Sequence, residues 1–308
     1  MSTVLYTHAA CVGHDAGFHH PESPDRLRAV LAALETEAFR LLDRREAPLS
    51  ELAPIERVHD PSYVRLILDN VPKTGHVYLD ADTGMSPGSG EASRRAAGAA
   101  CAAVDAVLGG EAKTAFCAVR PPGHHAERAR AMGFCLFNNV AIAALHARRA
   151  HGLKRIAVVD FDVHHGNGTQ SSFWDDPDLF YASSHQWPAY PGTGLESERG
   201  VAGNIVNVRL RPGSGSAAFR KAYADTILPA LKTFAPELLI LSAGFDAHAR
   251  DPLAQLQLAT EDFAWVTAEL LAVAGGCCRG RVVSSLEGGY DLEALAESVA
   301  GHVRTLMG

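Results

Sequence analysis

Residues 155–167 read Arg155-Ile-Ala-Val-Val-Asp160-Phe-Asp162-Val-His164-His165-Gly-Asn167, and the fold is decided here. Residues 155–159 form an apolar run rich in β-branched side chains. It is too short for a helix and shows no polar alternation. Such a run suits a strand buried on both faces of a parallel sheet. Side chains able to bind a metal or carry a proton follow at once. Three further stretches repeat the pattern. Residues 114–119 (TAFCAV) lead into Arg120-Pro-Pro-Gly-His124-His125, residues 238–242 (LLILS) into Ala243-Gly-Phe-Asp246, and residues 281–286 (RVVSSL) into Glu287-Gly-Gly-Tyr290. In open α/β sheets, ligands bind outside the carboxyl ends of the strands. These loaded strand ends therefore predict one shared site.

Helical patterns fill the intervals. The spacing predicts helices over residues 24–34, with Ser23 as cap and Pro24 in the first turn, and over 92–108, stopped by Gly109-Gly110. Others are expected over 138–150 before Gly152, over 217–234 with a kink or split at Pro229, over 261–274 capped by Thr260, and over 292–307 capped by Asp291. Alternating helix and buried strand implies an open α/β fold with a mostly parallel sheet. No repeat, charged tail or low-complexity linker divides the chain, so a single domain is predicted for residues 1–308.

Composition narrows the function. The chain has 308 residues, 47% hydrophobic and 20% charged, which provides for a large core. A net charge of −7 argues against a sequence-independent nucleic-acid binder. No run of about 18 apolar residues occurs, so no membrane helix is expected. The opening MSTVLYTHAACVGHD lacks the basic-then-apolar pattern of a secretory signal. The six cysteines form no CxxC pair and suggest neither a disulfide framework nor a thiolate zinc site. Reduced thiols in a cytoplasmic protein are the expectation.

Asp162 and His164 are two residues apart and, in extended chain, project to the same side. Asp246 can add a third ligand from another strand end. Two carboxylates and an imidazole favour Zn²⁺ or Fe²⁺ over a soft ion, and three protein ligands leave positions open for water and substrate. Near such a site, one of His124 and His125 can take a proton from the attacking water and pass it to a leaving amine. Asp160 and Asn167 are natural partners that fix the ring tautomers. Gly288-Gly289 can aim the Tyr290 phenol inward, where it would stabilise an oxyanion.

The motifs RPPGHHA, MGFCLFNN, VVDFDVHHGNGTQ, YPGTG, SAGFDAH and LEGGYD, with HHPESPDRLRAVLAAL near the start, resemble the zinc-dependent histone deacetylase family in its class II and bacterial amidohydrolase branch. The resemblance runs in order through nearly the whole chain. It implies the arginase-like fold: an open α/β sheet of about eight mainly parallel strands with helices on both faces. It implies Zn²⁺ on Asp162, His164 and Asp246. It assigns His125 as general base and acid, His124 as its electrostatic partner paired with Asp160, and Tyr290 as carbonyl polariser. Gly133 and Phe134 would line one wall of an acyl-lysine tunnel, Tyr190 the other, and Leu253 its floor or rim, with Asp82 gripping substrate amides at the mouth. Asp160, Asp162, His164, Ser183 and Ser184 would surround a structural potassium ion, partly through carbonyls.

Asn167 stands where the class I branch has aspartate, which removes a charge behind His125. Tyr190 stands where Phe is common. The implied substrate is an acyl-lysine peptide or protein. An acetylpolyamine is the alternative, with Glu22, Asp25 or Asp82 favouring its second amine. A two-metal ureohydrolase would need bridging aspartates that the sequence lacks, and a non-catalytic acyl-lysine scaffold would not require the complete residue set.

Overall fold

The computed structural model describes residues 2–308. In chain order the strands are β1 (Thr3–Thr7), β2 (Asp43–Glu46), β3 (Val77–Asp80), β4 (Thr83–Met85), β5 (Thr114–Cys117), β6 (Ile156–Asp160), β7 (Leu179–Gln186), β8 (Ile205–Leu210), β9 (Leu238–Ala243) and β10 (Val282–Leu286). Eight of them form one sheet in the order β2-β1-β5-β10-β9-β6-β7-β8. Every pairing in it is parallel. β3 and β4 make a separate antiparallel hairpin that turns at Ala81-Asp82.

The strands expected from apolar runs are β5, β10, β9 and β6, the contiguous centre of the sheet. Every residue in them is buried. The outer strands announce themselves less clearly. β2 is Asp-Arg-Arg-Glu, a charged edge that discourages pairing with another chain. β7 is buried throughout although half its residues are polar (Ser183, Ser184, His185, Gln186).

The helices are α1 (Ala9–Gly13), α2 (Pro24–Leu34), α3 (Leu52–Glu56), α4 (Pro61–Asp69), α5 (Ser89–Leu108), α6 (Asn139–His151), α7 (Asn167–Phe173), α8 (Ser216–Ala222), α9 (Leu228–Phe234), α10 (Thr260–Cys277) and α11 (Leu292–Met307). α2, α11 and α10 pack side by side, and α5 packs on α6. Asn138 caps α6 by accepting the Ala141 N–H, and left-handed Gly152 ends it. Asp291 caps α11 by accepting the Ala294 N–H.

Some helix signals misplace their groups. Ser23 occupies the cap position of α2, but its side chain makes no capping bond. Thr260 is the first residue inside α10 and not its cap, and the Asp262 carboxylate instead takes the Ala259 N–H. α5 begins at Ser89, three residues before the expected start, because Ser89 and Gly90 are buried rather than loop-like. The 217–234 pattern does split: a π-helical turn, Tyr223–Ile227, separates α8 from α9, whose first turn holds Pro229. Among the described residues, no helix is long and apolar enough to cross a membrane.

Candidate active site and metal centre

Because β5, β10, β9 and β6 are neighbours, the segments that leave their carboxyl ends are neighbours too. The loop after β5 is pinned by a carboxylate from beyond β10. Glu287 is fully buried and accepts the N–H groups of Gly123 (2.6 Å) and His124 (3.2 Å) and the Ser242 hydroxyl (3.1 Å). Burial pushes its carboxyl up to about 7.

The two loop histidines have opposite electrostatics. His124 Nδ1 lies 2.9 Å from Asp160 Oδ2, which also accepts the Tyr181 hydroxyl. Burial disfavours the His124 cation, but the carboxylates of Asp160 and Asp162 outweigh it and push the group up to about 10. His125 Nδ1 lies 2.8 Å from Asn167 Oδ1. Burial, reinforced by the charges of His124 and His164, pushes His125 well below the ordinary histidine range. One imidazole is therefore a fixed cation and the other a neutral ring with a free nitrogen.

Asp162, His164 and Asp246 converge, with ligand atoms all within 4.8 Å of one another. His164 Nδ1 is 3.2 Å from both Asp162 Oδ1 and Asp246 Oδ2. Tetrahedral zinc with ligands at about 2.0–2.1 Å sets neighbouring donors about 3.3 Å apart. The remaining carboxylate oxygens are occupied and aimed: Asp246 Oδ1 accepts the Val163 N–H (2.8 Å), and Asp162 Oδ2 accepts the Gly288 N–H (2.9 Å). Gly288 must be glycine, since a Cβ there would collide with the carboxylates of both Asp246 and Asp162. The donor set fits a divalent cation of the zinc type.

Tyr290 faces this group. Its N–H is held by Asp251 Oδ2 (2.8 Å), and the Arg26 guanidinium sits 4.7 Å from its ring centre. Arg26 also donates to the carbonyls of Gly289 and Glu287, so α2 underpins the Tyr290 turn. Burial keeps the phenol protonated, well above its ordinary range, and thus able to donate.

A cavity of about 220 Å³ joins these groups, lined by Asp82, His125, Gly133, Phe134, His164, Tyr190, Leu253 and Tyr290. All the tunnel residues expected from the sequence meet here. Leu253 is 40% exposed, which puts it on the rim. Phe134 is held at φ +70°, an uncommon conformation for a non-glycine residue, and Thr83 Oγ1 accepts its N–H at 3.1 Å. The Thr83 hydroxyl donates to Asp82 (2.9 Å), which couples the β3–β4 hairpin to the tunnel wall. A larger cavity of about 710 Å³, lined by Trp187, Glu196 and Arg209 among others, contains none of these reactive groups.

Glu22 does not reach the mouth. It is fully buried between Arg120 and Arg26, both also fully buried. Asp25 is exposed and paired with Arg28. Of the three acids expected to favour a second amine, only Asp82 lines the cavity. Ser183 lies opposite Asp160 in the sheet, with its hydroxyl bound to His185 Nδ1 (2.9 Å), while the Ser184 hydroxyl donates to Tyr223. Nothing in the local sequence marks Asp251 or the supporting roles of Arg26 and Glu287, beyond the place of Glu287 itself directly after β10.

The chain matches the histone deacetylase domain over residues 20–306. It is 40% identical to histone deacetylase 14, chloroplastic, of Arabidopsis thaliana, across 99% of this chain and 77% of that protein. It is 43% identical to the polyamine deacetylase HDAC10 of Homo sapiens, across 93% of this chain and 44% of that protein. The HDA15 HD domain superposes with a TM-score of 0.94 at 35% identity, covering 100% of this chain and 89% of that one. An arginase-like parallel sheet with this residue set at its strand ends, and these likenesses along its length, place the chain in the histone deacetylase family as a deacetylase-type hydrolase.

Proposed function

We propose that the protein hydrolyses N-acyl amines, foremost the acylated side chain of lysine in a peptide or protein. The observation that carries this reading is the 220 Å³ cavity, where a neutral His125, a protonated Tyr290 and His164, which stands against Asp162 and Asp246 in one donor set, face one space. A narrow aromatic passage between Phe134 and Tyr190 suits an unbranched aminoalkyl chain.

The family is zinc-dependent, and Asp162, His164 and Asp246 would hold Zn²⁺, or Fe²⁺. That cation would supply Lewis acidity, polarising the amide carbonyl and making water nucleophilic near neutral pH. His125 takes the proton of the attacking water on its free nitrogen and returns it to the departing amine. The Tyr290 hydroxyl donates to the carbonyl oxygen as it gains charge. His124, held charged by Asp160, adds positive potential beside it. We also assign a structural potassium ion to Asp160, Asp162, His164, Ser183 and Ser184. The serine hydroxyls are already engaged, so carbonyl oxygens would serve it. The six unpaired cysteines accord with a reducing compartment, the cytoplasm.

A polyamine amide is the second reading, favoured by the likeness to a polyamine deacetylase and by Asp82 at the cavity. The test is release of acetyl and longer acyl groups from fluorogenic lysine peptides beside acetylputrescine, with and without chelator. Chelator-sensitive turnover of a lysine amide is expected. Turnover of polyamines alone would move the substrate, and chelator-resistant turnover would overturn the mechanism. His125→Ala should lose at least about a hundredfold in kcat.

A further inference from the structure

The neutral residue behind His125 poses a problem that the structure answers. A carboxylate at position 167 could only accept, so it would fix His125 in the tautomer protonated at Nδ1. An asparagine can present either its oxygen or its NH₂ group, and the two orientations have nearly the same shape. If Asn167 were to present Nδ2, the His125 proton would move to Nε2 and the ring could no longer act as a base toward the cavity. A wrong tautomer in a histidine-based site costs about 10⁴-fold in a well-studied serine protease.

What faces the other end of the amide therefore matters. Asn167 Nδ2 donates to Glu127 Oε1 at 2.8 Å. Its other partners, the His125 carbonyl and Met132 Sδ, are both at 3.4 Å. Glu127 Oε1 is a carboxylate oxygen, an acceptor, so it draws Nδ2 toward itself and turns Oδ1 toward His125. The backbone of Glu127 is held on both sides: its N–H donates to the Arg130 carbonyl (2.9 Å), and its carbonyl accepts from His59 Nδ1 (2.8 Å). Its carboxylate borders a cavity of about 500 Å³ that shares no lining residue with the tunnel. Glu127 thus touches neither the substrate passage nor the metal ligands.

We infer that Glu127 is a positioning residue that sets the Asn167 amide, and through it the His125 tautomer. It supplies the directionality that a carboxylate at position 167 would otherwise provide. This inference rests on the reading of His125 as the proton carrier.

Two features of the geometry make it testable. Glu127→Ala removes the acceptor. Asn167→Asp sets two carboxylates at hydrogen-bond distance, which one carboxylate must relieve by moving or by holding a proton. Glu127→Gln can instead donate to that aspartate. Kinetics would be measured on a fluorogenic ε-N-acetyl-lysine peptide and on acetylputrescine, with zinc content and melting temperature recorded for each variant. We expect Glu127→Ala to lose about 10- to 100-fold in kcat with KM within about twofold, and Glu127→Gln, which keeps an acceptor, to lose less. Asn167→Asp should fall at least about tenfold, and the double variant Asn167→Asp/Glu127→Gln should recover most of that loss. Wild-type kcat in Glu127→Ala, or a double variant no better than Asn167→Asp alone, would overturn the inference. If Glu127→Ala fails to fold, the Asn167→Asp and double-variant pair still decides. His125→Ala is run alongside: wild-type turnover there would sink the proton-carrier reading itself, a failure distinct from intact His125 dependence with indifferent Glu127 variants.

Discussion

Among the described residues, two clusters of aspartate and histidine bring three or more such groups within reach of one ion, and they differ in almost everything except composition. At the sheet's carboxyl edge, Asp162, His164 and Asp246 are buried or nearly so, and their donor atoms stand 3.2 Å apart around His164 Nδ1. Between α5 and α6, His146 and His151 both point Nε2 at one oxygen of Asp105, each at 2.7 Å. Those are hydrogen-bond lengths, and the Asp105 side chain is 52% exposed. In the buried cluster the carboxylates repel each other out of reach of water, and fixed N–H groups hold them in place. In the surface cluster each imidazole N–H simply satisfies a solvated carboxylate. A metal centre is therefore distinguished by preset spacing and by carboxylates that water does not relieve, rather than by residue type.

The sharpest way to break this contrast is to remove one ligand from each side. Asp246→Asn should lose bound zinc and about a thousandfold in kcat, while His146→Ala should change neither. Atomic absorption with steady-state kinetics checks both, and zinc retained in the first or lost in the second would erase the distinction. Tyr290→Phe keeps the buried cluster but removes its facing donor. It should cost about a hundredfold in kcat with zinc content unchanged.

A third test concerns histidines buried without carboxylates. Burial lowers His59 to about 4, and its two nitrogens are committed to the Glu127 carbonyl and the Asn138 N–H. Because the folded value lies below the unfolded one, the neutral ring stabilises fully above about pH 6.5, and this is lost as pH falls toward 4. The loss should reach about 2 kcal/mol by pH 5, read as the difference in urea stability between wild type and His59→Gln across that range. The smallest effect belongs to the surface cluster. Asp105→Ala should cost less than about 1 kcal/mol in the same assay.

The sequence was most legible where burial is complete. β5, β6, β9 and β10 read as unbroken apolar runs because both their faces are covered. β2 and β8 carry charge at the sheet's edges, and β7 hides Ser183, Ser184 and His185 in a buried strand, so periodicity did not mark them. The reacting groups were legible because they follow those central strands directly. Their supports were not. Arg26 reaches Gly289, and Glu127 reaches Asn167, across long stretches of chain that no spacing rule connects. Glu22 shows the converse error: an acid beside a motif reads as a surface charge until two buried arginines are found around it.

The place of β1 bears on how this protein can be cut. The family match begins at residue 20, yet Thr3–Thr7 lies inside the sheet, paired on one side with β2 and on the other with β5. Trimming to the matched region would leave β2 without a neighbour and uncover the flank of β5, the strand that leads into His124 and His125. Thr3–Tyr6 are interior material, and a boundary drawn from kinship alone would pass through the core.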